Sequence, residues 1–277
     1  MALRYCAGGD PLDIADVHGV NDREVLQSLW SVVDAINSSK ELNIVFFFSE
    51  THAEQMSLAE AFKAKSEVGI DCCFAAIDGM LVWTNKPSTK DRKVHKVGPT
   101  KFFCGRKMKY GLNMMGVCDA QRRFIWVECR FPGASSDYYA FDDSDLKQKI
   151  EVPGFLRPGL CMFGDNAYIN TSYMCTPWRN VSSGPKDAFN FFHSQLRINI
   201  ECAFGELVHR WSIQRKPMPM NISIKKICYL VYVLCKLHNY CISNRDAIYS
   251  PIDSDSSYVV MEGGLFLPRM ENHREAF

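Results

Sequence analysis

The sequence predicts an α/β domain, and three observations predict it. Four short apolar runs, Cys72–Ile77, Asn113–Asp119, Phe124–Arg130 and Leu160–Phe163, read as buried strands. A loop-rich segment with Pro177, Gly184 and Pro185 interrupts the chain after the fourth. Two stretches of helical apolar spacing then follow, from about His193 to Trp211 and from about Ser223 to Asn239. Strands, a long interruption and then helices suit a sheet flanked by helices, either α/β or α+β.

Ahead of the strands, residues 10–37 read as two helices around a tight turn. Pro11 can open the first, where a proline loses no helix hydrogen bond, Gly19 closes it, and Asn21 can cap the second. Val25, Leu29, Val32, Val33 and Ile36 give the second helix an apolar stripe. The pattern is that of a helix-turn-helix, but its would-be reading helix offers only Arg23, and a DNA-reading module needs several cations for phosphates. A structural role is the expectation. Ile44–Phe48 is strand-like, and a helix through Ala59 and Phe62 follows it. The first main strand is expected to stop at Asp78-Gly79, and the polar turn Asp119–Arg123 to join the second and third. The fourth ends at Gly164-Asp165. The tail after Arg245 is Ser/Asp-rich at first and reads as irregular. The divisions are a helical segment at 1–67, a main domain at 68–245 and a tail at 246–277, with no internal repeat.

Composition narrows the class. An apolar fraction of 47% and a charged fraction of 23% are those of a soluble globular protein. The apolar stretch Ile227–Cys235 falls far short of the ~20 residues a bilayer-crossing helix needs. The opening residues lack the apolar core of a secretory signal, so an intracellular protein without membrane contact is expected. Of the twelve cysteines, Cys118, Cys129, Cys161, Cys202, Cys228 and Cys235 sit singly in apolar runs, as buried free thiols do, and no zinc-type spacing occurs. The net charge of +1 hides an asymmetry. Residues 1–80 carry 5 Lys/Arg against 13 Asp/Glu, a balance of −8, whereas residues 86–109 carry 9 against Asp91 alone, a balance of +8. That basic stretch interleaves Lys90, Arg92, Lys93, Lys96, Lys101, Arg106, Lys107 and Lys109 with Phe102 and Phe103. Positive charge draws phosphates, and exposed aromatic rings could stack on bases, so DNA contact is weighed against a solvated loop.

Two strands end alike, in an apolar run and an aspartate beside glycine: AAIDGM with Asp78 and CMFGDNAY with Asp165. An acid at the mouth of a buried strand suits a site for Mg or Mn, which prefer hard carboxylate oxygens, although Asp beside Gly is more often a turn. In RINIECAFGELVHRW, Ile200, Ala203, Phe204, Leu207, Val208 and Trp211 form one helix face. Glu201 lies about 80° from the centre of that face, able to reach past the sheet edge or to pair with Arg197 four residues earlier.

The blocks AAIDGM, GLNMMGVCDAQRRF, FPGASSDYYAF, FGDNAY with MCTPW, FNFFHSQLRINIECAFGELVHRW and LHNYCI, in this order over roughly residues 72–243, resemble the endonuclease domain of Harbinger-type transposases of the DDE superfamily. Residues 3–37 resemble the helix-turn-helix segment that precedes it. The resemblance implies an RNase H-like core. It carries the family's catalytic, metal-holding acids onto Asp78, Asp165 and Glu201, with two divalent ions, Mg or Mn, cutting DNA phosphodiester bonds and no side-chain nucleophile required. Asp137 matches a further acidic position, as support, substrate contact or a turn cap. His193 and Arg197 could contact phosphate or orient the glutamate, and His238 packs or caps within the last helix. The resemblance also implies a nuclear protein working with a separate Myb/SANT-like DNA-binding partner, with self-association left open. The competing expectations are a catalytically silent binding protein of the same fold and, more remotely, a serine or cysteine hydrolase, for which no G-x-S-x-G elbow exists.

Overall fold

The computed structural model describes residues 1–42, 44, 51–87, 98–218, 223–244, 258–260 and 266–268. Lys90, Arg92, Lys93, Lys96 and most of the Ile44–Phe48 run lie outside the described residues.

The N-terminal helices form where the turn chemistry places them. α1 (Ala2–Cys6) precedes α2 (Pro11–His18), whose N-terminus is capped by Asp10 and whose C-terminus is closed by Gly19 at φ 63°. α3 (Asp22–Ser38) begins with a capping box between Asn21 and Glu24. Its Leu29 and Val33 enter the main core beside the last helix. Lys236 of that last helix, itself buried, donates to the carbonyls of Ile36 (3.1 Å) and Asn37 (3.3 Å), so a cation meets the negative end of α3. α3 is thus docked as part of the core, while α2 packs on α3 through a separate small cluster of Ile14, Ala15 and Val25. α4 (His52–Lys63) covers the other sheet face through Leu58 and Ala59.

The central sheet runs β1 (Cys73–Trp83), β2 (Phe103–Cys104), β3 (Lys109–Cys118), β4 (Phe124–Pro132), β5 (Cys161–Phe163) and β6 (Met174–Cys175). β3 pairs antiparallel with β1 on one side and with β4 and β2 on the other; β5 and β6 continue from β1 in parallel. Three long antiparallel strands, β4, β3 and β1, with β2 beside β3, followed across the sheet by two parallel ones and with helices on both faces, is an RNase H-like arrangement. Between β4 and β5 lie two short helices, α5 (Asp137–Asp142) and α6 (Asp145–Ile150). α7 (Pro185–Arg210) and α8 (Ile224–Ser243) cover one face. A small hairpin, β7 (Tyr258–Val260) with β8 (Phe266–Pro268), replaces part of the tail expected to be irregular.

Two further boundaries depart from the sequence expectation. β1 does not stop at Asp78-Gly79 but runs to Trp83, because β3 offers an unbroken antiparallel partner from Gly111 to Cys118. α7 starts eight residues before His193, with Pro185 at its first turn. All twelve cysteines are free thiols, but not all are solitary: Cys161 lies beside Cys72 and Cys175, and Cys228 Sγ donates to the Cys129 carbonyl.

β4 is an edge strand, and its first residue is closed by a side chain. Asn239 of α8 accepts from Phe124 N and donates to Phe124 O, both at 2.7 Å. His238, fully buried beside it, bonds the Arg122 carbonyl through Nε2 (2.9 Å), and burial pushes its imidazole down to about 4. Asn239→Leu would leave a buried backbone donor and acceptor unmet. A loss of about 2–4 kcal/mol is expected, read as a lower midpoint in urea unfolding.

Candidate active site

The site forms where β5 ends beside a strand that continues. The β1–β5 register pairs Ala76 with Phe163. Asp78 lies two residues further along β1, and period-two alternation turns its side chain to the α7 face, while Asp165 follows β5 in a turn close enough for its charge to act on Asp78. Asp78 is therefore mid-strand in β1 but stands at the mouth of β5. This is why a strand interior tolerates an acid here.

Asp78 is strongly perturbed. Its carboxyl is pushed up to about 7, first by burial, then by the negative charges of Asp165 and Asp137. The Gly79 N–H, bonded to Oδ1 at 2.7 Å, and Arg197 act in the opposite direction. Asp165 is oriented by its own turn: Oδ1 accepts from Ala167 N at 2.8 Å.

Asp137 approaches from the opposite face. It sits at the first position of α5, where the capping role belongs to Ser136, whose Oγ accepts from Tyr139 N. Asp137 Oδ1 instead accepts from Asn113 Nδ2 (2.9 Å), which also donates to the Ser135 carbonyl (3.1 Å). Its carboxylate lies flat on Gly79, where a Cβ would fall 1.9 Å from Oδ1. Glycine beside Asp78 therefore provides a seat rather than a turn. Tyr168 completes the enclosure: its ring packs on Phe141 (5.9 Å) and against Gly164, and its fully buried hydroxyl has no hydrogen-bond partner among the described residues. Burial first, and then Asp78, Asp137 and Asp165, raise the phenol well above its usual range.

Glu201 lies across from these acids on α7, with its side chain 48% exposed. Arg197 Nη1 is 2.5 Å from Glu201 Oε1 and 3.8 Å from Asp78 Oδ2. The (i, i+4) pairing expected from helical spacing is present, and the same guanidinium also faces Asp78. Among the described residues no three His, Cys, Asp or Glu side chains already converge to hold an ion. The donor set nonetheless suits a hard cation: Asp78 feels the negative charges of Asp165 and Asp137, and a positive group already stands between Asp78 and Glu201.

Other expected site residues are placed differently. His193 is 1% exposed, bonds the Cys175 carbonyl through Nε2 (3.1 Å) and stacks on Phe163 at 4.4 Å. It props the strand that leads to Asp165 and cannot meet a phosphate from there. Lys101, Arg106 and Lys109 are exposed and Lys107 half-buried, while Lys109 lies over the Trp83 ring at 4.1 Å. Lys101 is joined to the loop before Asp137 by the Ala134 N–H to its carbonyl (3.0 Å), so this cationic segment borders the site. The aromatic residues between them do not present stacking faces: Phe102 is buried in the core, and Phe103 packs edge-on against Tyr110 at 5.1 Å.

Asn113, Gly79 and Tyr168 are site residues that sequence reasoning misses. Asn113 carries a usable signal, because a polar residue inside GLNMMGV must find a partner once buried. Tyr168 carries none.

The sequence model of a family described as DDE superfamily endonuclease matches residues 77–239. The matched span holds Asp78, Asp137, Asp165, Arg197 and Glu201. No match to the chain was found among curated proteins or among solved structures. Among the described residues no helix is long and apolar enough to cross a membrane.

Proposed function

The chain belongs to the DDE superfamily endonucleases, and from that premise we propose that it is a Harbinger-type, metal-dependent DNA nuclease using Asp78, Asp165 and Glu201. The observation that carries this reading is the buried Asp78 carboxyl, held up to about 7 by burial and by the negative charges of Asp165 and Asp137 close by. Carboxylates crowded in this way repel one another, and a divalent ion relieves that repulsion. When bound, two such ions supply charge stabilisation and an activated oxygen nucleophile for an in-line displacement at phosphorus.

The chain's own residues do the rest. The Ala167 N–H holds the Asp165 carboxylate in place, and the Gly79 N–H does the same for Asp78. Asp137, seated on Gly79 and tied to Asn113, keeps negative charge beneath Asp78. Glu201 approaches from a helix bedded on the sheet by Ile200, Ala203 and Phe204. Lys101, Arg106, Lys107 and Lys109 border the loop before Asp137 and would meet a DNA backbone there, and Lys93 and Lys96 extend the same basic run in sequence. Nuclear action, a Myb/SANT-like partner for target choice and self-association belong to the same reading. The acidic α2–α3 pair, with α3 docked in the core, supports reliance on a partner.

A second reading, a catalytically silent binding protein, is favoured by the Arg197–Glu201 pair, which occupies the third acid. Nicking of supercoiled plasmid separates the two. The nuclease should convert supercoiled to open-circular DNA with Mg or Mn and stop on chelation, and Asp78→Ala, Asp165→Ala and Glu201→Ala should each fall to background. Absence of nicking with either ion, or equal nicking by all four proteins, would remove the nuclease reading.

A further inference from the structure

One side chain in the site is a cation that faces two acids of the proposed metal set. Arg197 points its guanidinium at Glu201 (2.5 Å) and Asp78 (3.8 Å), and with 19% of its side chain exposed it lies at the solvent edge of the opening. A guanidinium there does what a divalent ion would do, neutralising carboxylates that otherwise repel, so the two compete for the same oxygens. The competition is uneven. A side chain one turn from its partner, with arginine N-terminal to glutamate, is in the weaker order for a helix pair. Of its two partners only Glu201, with its side chain 48% exposed, is screened by solvent, which weakens that half of the contact.

We propose that Arg197 is an exchangeable counter-ion: a divalent ion displaces it from Asp78 and Glu201, and the released guanidinium becomes a DNA phosphate ligand beside the cutting site. The second half follows from shape and place. Guanidinium is a planar fork that matches phosphate oxygens in pairs and stays charged at any working pH. Arg197 is anchored one helical turn before Glu201, so a phosphate held near Glu201 lies beside it. The exchange couples ion loading to DNA binding: a site without ions keeps its arginine turned inward, and a loaded site offers it to the substrate. The proposal rests on the nuclease reading, because it takes Asp78 and Glu201 as ion ligands.

Manganese binding, followed as loss of the free-ion electron paramagnetic resonance signal, tests the first half without any cleavage. Arg197→Gln is expected to bind Mn2+ about fivefold more tightly than wild type, because a competing state is removed. Arg197→Lys, which keeps a competing cation, should stay nearer wild type. Asp78→Asn should bind more weakly than wild type. If Asp78→Asn binds like wild type, the metal site itself is wrong. If Asp78→Asn is impaired while Arg197→Gln is unchanged or weaker, the site stands and the exchange is overturned.

Fluorescence anisotropy of a labelled duplex tests the second half. With Ca2+ as the ion, Arg197→Gln should weaken DNA binding about tenfold, and with chelator present by less than about twofold. Equal losses under both conditions would mean that Arg197 meets DNA from its inward position. No loss with Ca2+ would mean that it never meets DNA. Either result overturns the proposal.

Discussion

Asp78→Asn is expected to reduce plasmid nicking at least about a thousandfold, the equivalent of ~4 kcal/mol of barrier, while making the metal-free protein more stable at pH 8. The two effects have one cause. Asp78 is held up to about 7 in the folded protein, chiefly by burial, against an ordinary value of 3.8. A carboxyl raised on folding binds its proton more tightly in the folded state, so folding stability falls as pH rises between those values. The wild type is least burdened below about pH 4 and carries the full cost of a buried charge above about pH 7. Asparagine keeps the shape and never ionises. At pH 8 the variant should gain about 4 kcal/mol, the unfolding midpoints of the two proteins should converge near pH 4, and the wild type should show the steeper fall with pH. Chelator must be present, since bound ions would offset the repulsion. Equal pH slopes for the two proteins would show that Asp78 is not the strained group. The same shift implies that Mn2+ binding at pH 6 releases a proton from the wild type and less from Asp78→Asn.

This coupling of strain and chemistry explains which parts of the site can be read in the sequence. Asp78 and Asp165 are legible because each follows an apolar run, and a run that ends in an acid is a local pattern. The extent of β1 is not, because Asp-Gly is ordinarily a turn signal and the competing instruction comes from β3, far along the chain. Strand pairing overrides the local preference. The Arg197–Glu201 pairing follows from helical spacing alone, whereas the contact of Arg197 with Asp78 depends on how α7 lies on the sheet. Asp137 is noticeable as an acid, but its seat on Gly79 joins two segments that no spacing rule connects. The start of α7 is written in Gly184-Pro185, a loop-like pair that also opens helices, and its loop meaning is the wrong one here. Fold class survives these errors because it depends on the order of strands and helices, which apolar periodicity reports well. The aromatic residues of the basic segment show the converse: Phe102 looks exposed amid lysines, but it is the residue that anchors that segment to the core.

Gly116 sets the distance between the sheet and the helix that carries Glu201, and filling it with a branched side chain should destabilise the fold severely. It lies in β3 directly opposite Asp78. Cross-strand partners face the same side, so the space above Gly116 adjoins the acid site. Phe204, one turn after Glu201, occupies that space: a Cβ on Gly116 would come within 2.8 Å of two atoms of its ring and 3.3 Å of Phe124. Phe204 and Phe124 pack at 5.7 Å, and Phe124 packs on His238 at 5.1 Å, so the ring is backed by other buried groups. Valine would ordinarily favour a strand by up to ~1 kcal/mol over glycine. That gain is smaller than the cost of forcing a backed aromatic ring out of a close-packed layer. Gly116→Ala is expected to lose about 1–2 kcal/mol and Gly116→Val more than about 3 kcal/mol in urea unfolding. The informative case is alanine, which should remain folded with α7 lifted at Phe204. Its nicking should need more Mg or Mn for half-maximal rate, because the helix that brings Glu201 to Asp78 stands further off. An alanine variant with wild-type ion requirement would separate the packing of Phe204 from the placement of Glu201, and the sheet-to-helix distance would then not be what assembles the acids.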